Sequence, residues 1–194
     1  MIAYFNHLLT SIQQSINTLD EAQFEKLLSD CYEAVANGNK IIVSGLGKNV
    51  PICEKFVGTL NSFGINAAFL HTNTAIHGDL GIIKDGDTTL LLSKSGGTVE
   101  TLLLLEHVKK RNTRLWGISF QDGGALAKQC ENCLLLQLDH EGDKWNIVPN
   151  NSTTLYLIIL QGLAMQLADR LGITLSEFKT NHPGGKIGEI LSET

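Results

Sequence analysis

No apolar run in this chain approaches the roughly 20 residues that a bilayer-spanning helix needs. The N-terminal stretch "MIAYFNHLLTSIQQ" lacks a basic leader region and a small-residue cleavage site, so no secretory signal is legible. Basic charge is in short supply: 15 Lys and Arg against 20 Asp and Glu leave a formal net charge of −5. That argues against the basic surface that a nucleic-acid phosphate binder requires. These shortages predict a cytoplasmic protein with neither a membrane nor a nucleic acid as partner. Cysteine is scarce as well, with 4 residues. Cys130 and Cys133 form a C-x-x-C, "CENC", but no second pair or histidine cluster follows at zinc-site spacing. The pair runs into "LLLQL", a strand pattern, whereas a thioredoxin-type pair opens a helix. Two small residues at a strand entry are the simpler reading. Without secretion, the N-x-S/T patterns at Asn150 and Asn151 carry no meaning.

Internal repeats, low-complexity segments and linkers are also lacking. The 194 residues, 43% hydrophobic and 18% charged, suffice for one compact domain with a substantial core. Residues 1–37 read as two helices preceding an α/β core and C-terminal segment over 38–194. The first helix is "IAYFNHLLTSIQQSI", with apolar residues at helical spacing; Asp20 then offers an N-cap for "EAQFEKLLSDCYEAVAN" and Gly38 a stop. The period changes after that. Apolar, β-branched runs predict strands at 40–45, 65–71, 87–93, 114–120 and 132–138. Helical spacing predicts helices at 49–64 and 98–112, a short one in "GALAKQC", and a long one at 152–172. Strands alternating with helices imply βαβ units, hence a five-stranded parallel sheet sandwiched by helices. The 152–172 helix is apolar nearly all round, at Leu155, Leu157, Ile158, Ile159, Leu160, Leu163 and Met165. Such a helix is buried in the core or in a subunit interface.

Two loops stand out. "SKSGGTVET" (93–101) leaves the third strand and opens a helix, with Ser93, Ser95, Gly96, Gly97 and Thr98 in close succession. The first N–H groups of a helix lack intrahelical partners and carry its positive dipole end. Glycines let an anion approach the backbone and hydroxyls add donors, a combination suited to phosphate. A capped turn would need one hydroxyl, Ser95 or Thr98; the surplus favours the phosphate. "SGLGK" (44–48), with Ser44, Gly45, Gly47 and Lys48, leaves the first strand in the same way. Its G-x-G is a weak signal alone, because Val50 stands where the dinucleotide fingerprint needs glycine.

"SGLGK", "HTNTAIHGDLG", "SKSGGTVE", "VPNNSTT" and "NHPGGKIGEIL" occur in the order found in SIS-domain (sugar isomerase) proteins. "HGDLG" with "HPGG" makes the chain most similar to arabinose-5-phosphate isomerases, over roughly residues 20–192. The resemblance implies a five-stranded parallel sandwich, usually tetrameric, that interconverts ribulose 5-phosphate and arabinose 5-phosphate. Many such proteins carry a tandem CBS pair after "HPGG". The chain departs from the family pattern at three places. "GKNV" replaces G-K-S-G. "HTNTAIH" replaces H-P-G-E-A-x-H, so Thr74 takes the place of an acid. "SKSGG" replaces S-N-S-G-E, so Lys94 adds a positive charge beside the anion loop.

Aldose–ketose isomerisation needs ring opening, removal of a proton next to the carbonyl, and stabilisation of the enediolate oxygen. It needs no cofactor and no metal. The resemblance makes Lys48, His77, Glu100, Glu141 and His182 catalytic. Glu100 is the base at carbon, Lys48 the cation for the enediolate or the phosphate, and the two histidines serve ring opening and proton movement between oxygens. Glu141 in "DHEGD" takes an acid/base or positioning role. Ser44, Gly45, Gly47, Ser93, Ser95, Gly96 and Thr98 line the substrate, with His71 secondary. Each also has a plain structural role: Glu100 complements a helix dipole, Lys48 is a solvated loop lysine, and Glu141 lies in an acidic surface loop. Two other functions fit the pattern less well. A sugar-phosphate sensor is disfavoured by the joint presence of these residues and by too short an N-terminal segment for a DNA-binding domain. A hexulose- or heptose-phosphate isomerase fits "HPGG" less well. The expected partners are a phosphorylated pentose and further copies of the chain. In that homotetramer, the glycine-rich "NHPGGKIG" beyond the last predicted helix reaches a neighbour's site.

Overall fold

The computed structural model describes residues 1–192. Two helices, α1 (Ile2–Asn17) and α2 (Glu21–Ala36), precede β1 (Ile41–Gly45). Then follow α3 (Val50–Ser62), β2 (Ala67–Phe69), β3 (Thr88–Leu92), α4 (Val99–Val108), β4 (Arg114–Ser119), α5 (Ala125–Gln129), β5 (Asn132–Leu135) and α6 (Asn151–Leu171). The predicted N-cap Asp20 accepts hydrogen bonds from Ala22 N and Gln23 N, both at 3.0 Å. The five strands form one parallel sheet, as the sequence predicts, in the order β2-β1-β3-β4-β5.

Side chains of a strand alternate between faces, and the sheet divides its core accordingly. Ile41, Val43, Leu90, Leu92, Trp116 and Ile118 pack with Leu27, Leu28, Phe56, Leu155, Leu160 and Leu163 from α2, α3 and α6. Ile42, Leu91 and Leu115 face the other way, onto Leu104, Leu105, Val108 and Leu126 of α4 and α5. The edge strands are shorter than the sequence pattern suggests, because each has a hydrogen-bonding neighbour on one side only. Around α6, Leu155, Ile159, Leu160 and Leu163 are buried, whereas Leu157, Ile158 and Met165 stay exposed. Ile158 and Ile159 line a groove of about 570 Å³ together with Ile16, Leu19 and Phe24.

The C-terminal segment departs from the expectation of a glycine-rich tail beyond the last helix. It forms α7 (Leu175–Thr180) and α8 (Gly185–Ser192). A capping box starts α7: Glu177 N donates to Thr174 Oγ1, and Thr174 N donates back to Glu177 Oε2. This reciprocal pair satisfies two orphan donors of a short helix. Among the described residues no helix is long and apolar enough to cross a membrane.

Candidate active site

The strand order turns back between β1 and β3. In an open parallel sheet, the crevice at such a point opens beyond the carboxyl ends of the strands. The loops leaving β1 and β3 are the two glycine-hydroxyl stretches, so topology brings "SGLGK" and "SKSGG" face to face. Close packing dictates glycine at two positions in them. A Cβ on Gly45 would lie 2.8 Å from Asn49 Cβ and 3.1 Å from Cys53 Sγ at the start of α3. Gly96 has φ +61 and faces Ser119 Oγ and Gly124, so a side chain there is both strained and crowded.

Between the loops lies a cleft of about 210 Å³, lined by Lys48, Asn49, Ser93, Lys94, Ser95 and Thr98, with Pro149 and Ser152 across from them. Thr98 is the N-cap residue of α4 but makes no side-chain cap bond; its hydroxyl instead shares a 3.0 Å hydrogen bond with Ser93 Oγ. Ser95 Oγ accepts from Gly97 N at 3.2 Å. The opening N–H groups of α4 are thereby left to an incoming anion, which the helix dipole favours. Ser44 sits differently. It is buried, and its hydroxyl is paired with Thr72 Oγ1 at 2.9 Å. Thr72 in turn donates to Gly45 O, so Ser44 ties β1 to the loop after β2 behind the cleft.

Glu141 has no exposed surface, unlike the acidic surface loop that is its plainer sequence reading. Ser152 N and Asn150 N donate to its Oε2 at 2.9 and 3.0 Å, and Ser152 Oγ donates to Oε1 at 2.6 Å. Lys94 Nζ lies 2.5 Å from Oε1. Burial works to raise the Glu141 pKa, but the Lys94 and Ser152 hydrogen bonds and the backbone donors together bring it below the usual carboxylate value. The carboxylate thus caps α6 from outside the helix. Tyr4 of α1 donates to Gly142 O at 3.0 Å and holds the adjoining backbone. Ser152 carries no assigned role at the sequence level, and Lys94 is read there only as a positive charge beside the anion loop. A start of an apolar helix rich in Asn and Ser is the signal that points to Ser152.

Of the remaining candidates, Glu100 borders the cleft, two residues past Thr98, and the three histidines do not line it. Glu100 stands exposed in the first turn of α4. His77 is exposed in a short turn after β2. His71 lines a separate depression of about 400 Å³ with Gly78, Asp79 and Gly81. His182 lies at the opposite end of α3 from Lys48. Its ring stacks on Phe178 at 4.0 Å, Phe178 packs on Phe63 at 5.5 Å, and Asn181 Nδ2 donates to Ser62 O. With 1.5 Å of rise per residue, α3 separates the two ends by about 20 Å. Burial pushes the cysteine thiols up, Cys53 and Cys130 to about 12, Cys133 to about 11, and Cys31 higher still. That is unlike a reactive C-x-x-C pair, whose nucleophile has a lowered pKa.

The chain matches the SIS domain family over residues 34–166. It is 34% identical over 161 residues to arabinose 5-phosphate isomerase KdsD of Pseudomonas aeruginosa, covering 83% of this chain and 49% of that one. It is 38% identical over 164 residues to an uncharacterized protein of Chlamydia trachomatis, covering 84% and 48%. The chain spans about half the length of these curated relatives. Among solved structures, it is similar to c3406 of E. coli CFT073 in complex with arabinose 5-phosphate, with a TM-score of 0.86 and 28% identity over 94% of this chain and 95% of that one.

Proposed function

The chain belongs to the SIS-domain family, and from that premise we propose that it is a sugar-phosphate aldose–ketose isomerase, with ribulose 5-phosphate and arabinose 5-phosphate as its pair. The observation that carries this reading is the cleft at the turning point of the sheet, where Lys48, Ser93, Ser95 and Thr98 converge on the uncapped start of α4. A phosphate there accepts from the α4 backbone and the hydroxyls, with Ser44 supporting the β1 loop from behind. The relatives named as arabinose 5-phosphate isomerases support the sugar.

The sugar enters in its open-chain form. A carboxylate removes the proton from the carbon next to the carbonyl, and the electron pair moves onto the carbonyl oxygen. The proton returns to the neighbouring carbon, while a hydroxyl proton passes between the two oxygens. We assign the carbon-bound proton to Glu100 and the ring opening and oxygen-to-oxygen transfer to His77 and His182. His182 serves the cleft of a neighbouring subunit, in a cytoplasmic homotetramer. Apolar Leu157, Ile158 and Met165 on α6 are natural surfaces for such an assembly. The test is proton NMR of the purified protein with ribulose 5-phosphate in heavy water. Deuterium is expected at C2 of the aldose formed. No turnover and no exchange with pentulose, hexulose or heptulose phosphates would leave a binding module instead.

A further inference from the structure

The Lys94–Glu141 pair joins two sides of the cleft. The Glu141 carboxylate has about four acceptor positions, and four donors fill them: Ser152 Oγ, Ser152 N, Asn150 N and Lys94 Nζ. Three belong to the start of α6 and are fixed by the helix. The fourth is carried by a lysine whose side chain is 40% exposed and lines the cleft. A carboxylate with no exposed surface and no free lone pair has no route to a proton on substrate carbon. Its ammonium partner has one: of three N–H groups, the bond to Glu141 occupies one. Lys94 also reaches away from the hydroxyl loop, toward α6. A phosphate seated at the start of α4 therefore leaves this ammonium beside the sugar. The backbone beneath is held firmly, with Phe120 N donating to Lys94 O and Ser93 N to Ile118 O.

We propose that Lys94 is a catalytic residue, an ammonium anchored on Glu141 and presented to the carbonyl oxygen of the substrate, and that Glu141 is its counterion and not the group that moves a proton. As the base takes the carbon-bound proton, negative charge gathers on that oxygen. An N–H of Lys94 donates to it without giving up its proton, and the charge is dispersed again when the neighbouring carbon is protonated. A preorganised donor acts in this way most strongly where charge develops. Lys48 is then left for the phosphate.

This proposal deepens the isomerase reading, and its test separates the two. Lys94→Met, Lys94→Arg and Glu141→Gln would be prepared in the full chain, with circular dichroism melts to confirm folding. Lys94→Met is expected to lower kcat about a hundredfold or more, with Lys94→Arg recovering part of it. Glu141→Gln should fall with Lys94→Met, and the double variant should be little worse, because the two act as a unit. Calorimetry with two probes reads the same contact without turnover. Lys94→Met should weaken a phosphorylated hydroxamate analogue of the enediolate about tenfold or more, while inorganic phosphate stays within about twofold. A wild type that turns over no sugar phosphate defeats the isomerase reading; Lys94 then stands or falls on the two-probe result. Equal losses for both probes would make Lys94 a phosphate ligand and overturn the proposal. So would a Lys94→Met protein with near-normal kcat beside an inactive Glu141→Gln.

Discussion

Two carboxylates among the described residues have no exposed surface, each is paired with a lysine, and they lie at opposite ends of one sheet. Asp87 stands just before β3. Lys40 Nζ approaches it at 2.8 Å, and the N–H groups of Lys40 and Lys84 donate to it at 3.0 and 2.7 Å. Its own carbonyl accepts from Arg114 N and from Thr113 Oγ1. It fastens the entries of β1, β3 and β4 together. Glu141 has the same chemistry at the other end, but the lysine heads differ: the Lys40 side chain is 16% exposed and that of Lys94 is 40% exposed. Removing one partner of a buried pair strands a charge, whereas a pair with one wet end loses less. Asp87 is a clasp, and Glu141 holds a cation at the rim of a cleft.

The largest effects should come from completing or breaking the cleft edge. His182→Ala should lose about 10²–10⁴-fold in kcat and Lys48→Ala about 10²-fold or more in kcat/KM through its phosphate contact, yet co-expressed chains should regain part of the activity, because some clefts then hold an intact Lys48 and an intact His182 from different chains. Mixed oligomers that form and stay inactive would show that each chain builds its site alone. Next, Asp87→Ala should cost about 3–5 kcal/mol of stability, read in urea melts, whereas Lys94→Met should cost less, about 1.5–3 kcal/mol, because Glu141 keeps its three donors at the start of α6. Equal losses would erase the distinction between clasp and cleft.

Acid sharpens it further. Glu141 titrates below its ordinary value of 4.5, so its contribution to stability is present above that value and is lost as pH falls through the folded value. Without Lys94 the folded value moves up. Lys94→Met should therefore lose this stability at a higher pH than the wild type, and the two proteins should converge in stronger acid. Identical acid profiles would mean that Lys94 does not act on Glu141. The smallest effect is expected at Ser95, where loss of one hydroxyl contact of about 1 kcal/mol should raise KM about fivefold and leave kcat unchanged.

The sheet and its order of elements were legible because apolar, β-branched runs alternate with helical spacing. The two loops were legible because glycines and hydroxyls crowd the exits of β1 and β3. The use of those hydroxyls was not. Ser44 reads like Ser95 in sequence, and only the neighbouring Thr72, brought there by β2, turns it inward. The Lys94–Glu141 pair was hidden for the same reason: the loop after β3 meets the residues before α6 only once the sheet has formed. At the C-terminus, the glycine-rich run masks α7, whose Thr174–Glu177 capping box is the sequence signal that announces it.

The packing of α1, α2 and α3 against α6 has a consequence for biosynthesis. The first helices leave the ribosome well before the helix that covers them. At about 5–20 residues per second, the stretch from Ala36 to Asn151 takes on the order of ten seconds to make. β1 waits as well, since β2 and β3, its partners on either side, are both translated after it. During that interval Leu27, Leu28 and Cys31 have no α6 to bury against, so the nascent chain presents a sticky face that ribosome-bound chaperones are suited to shield.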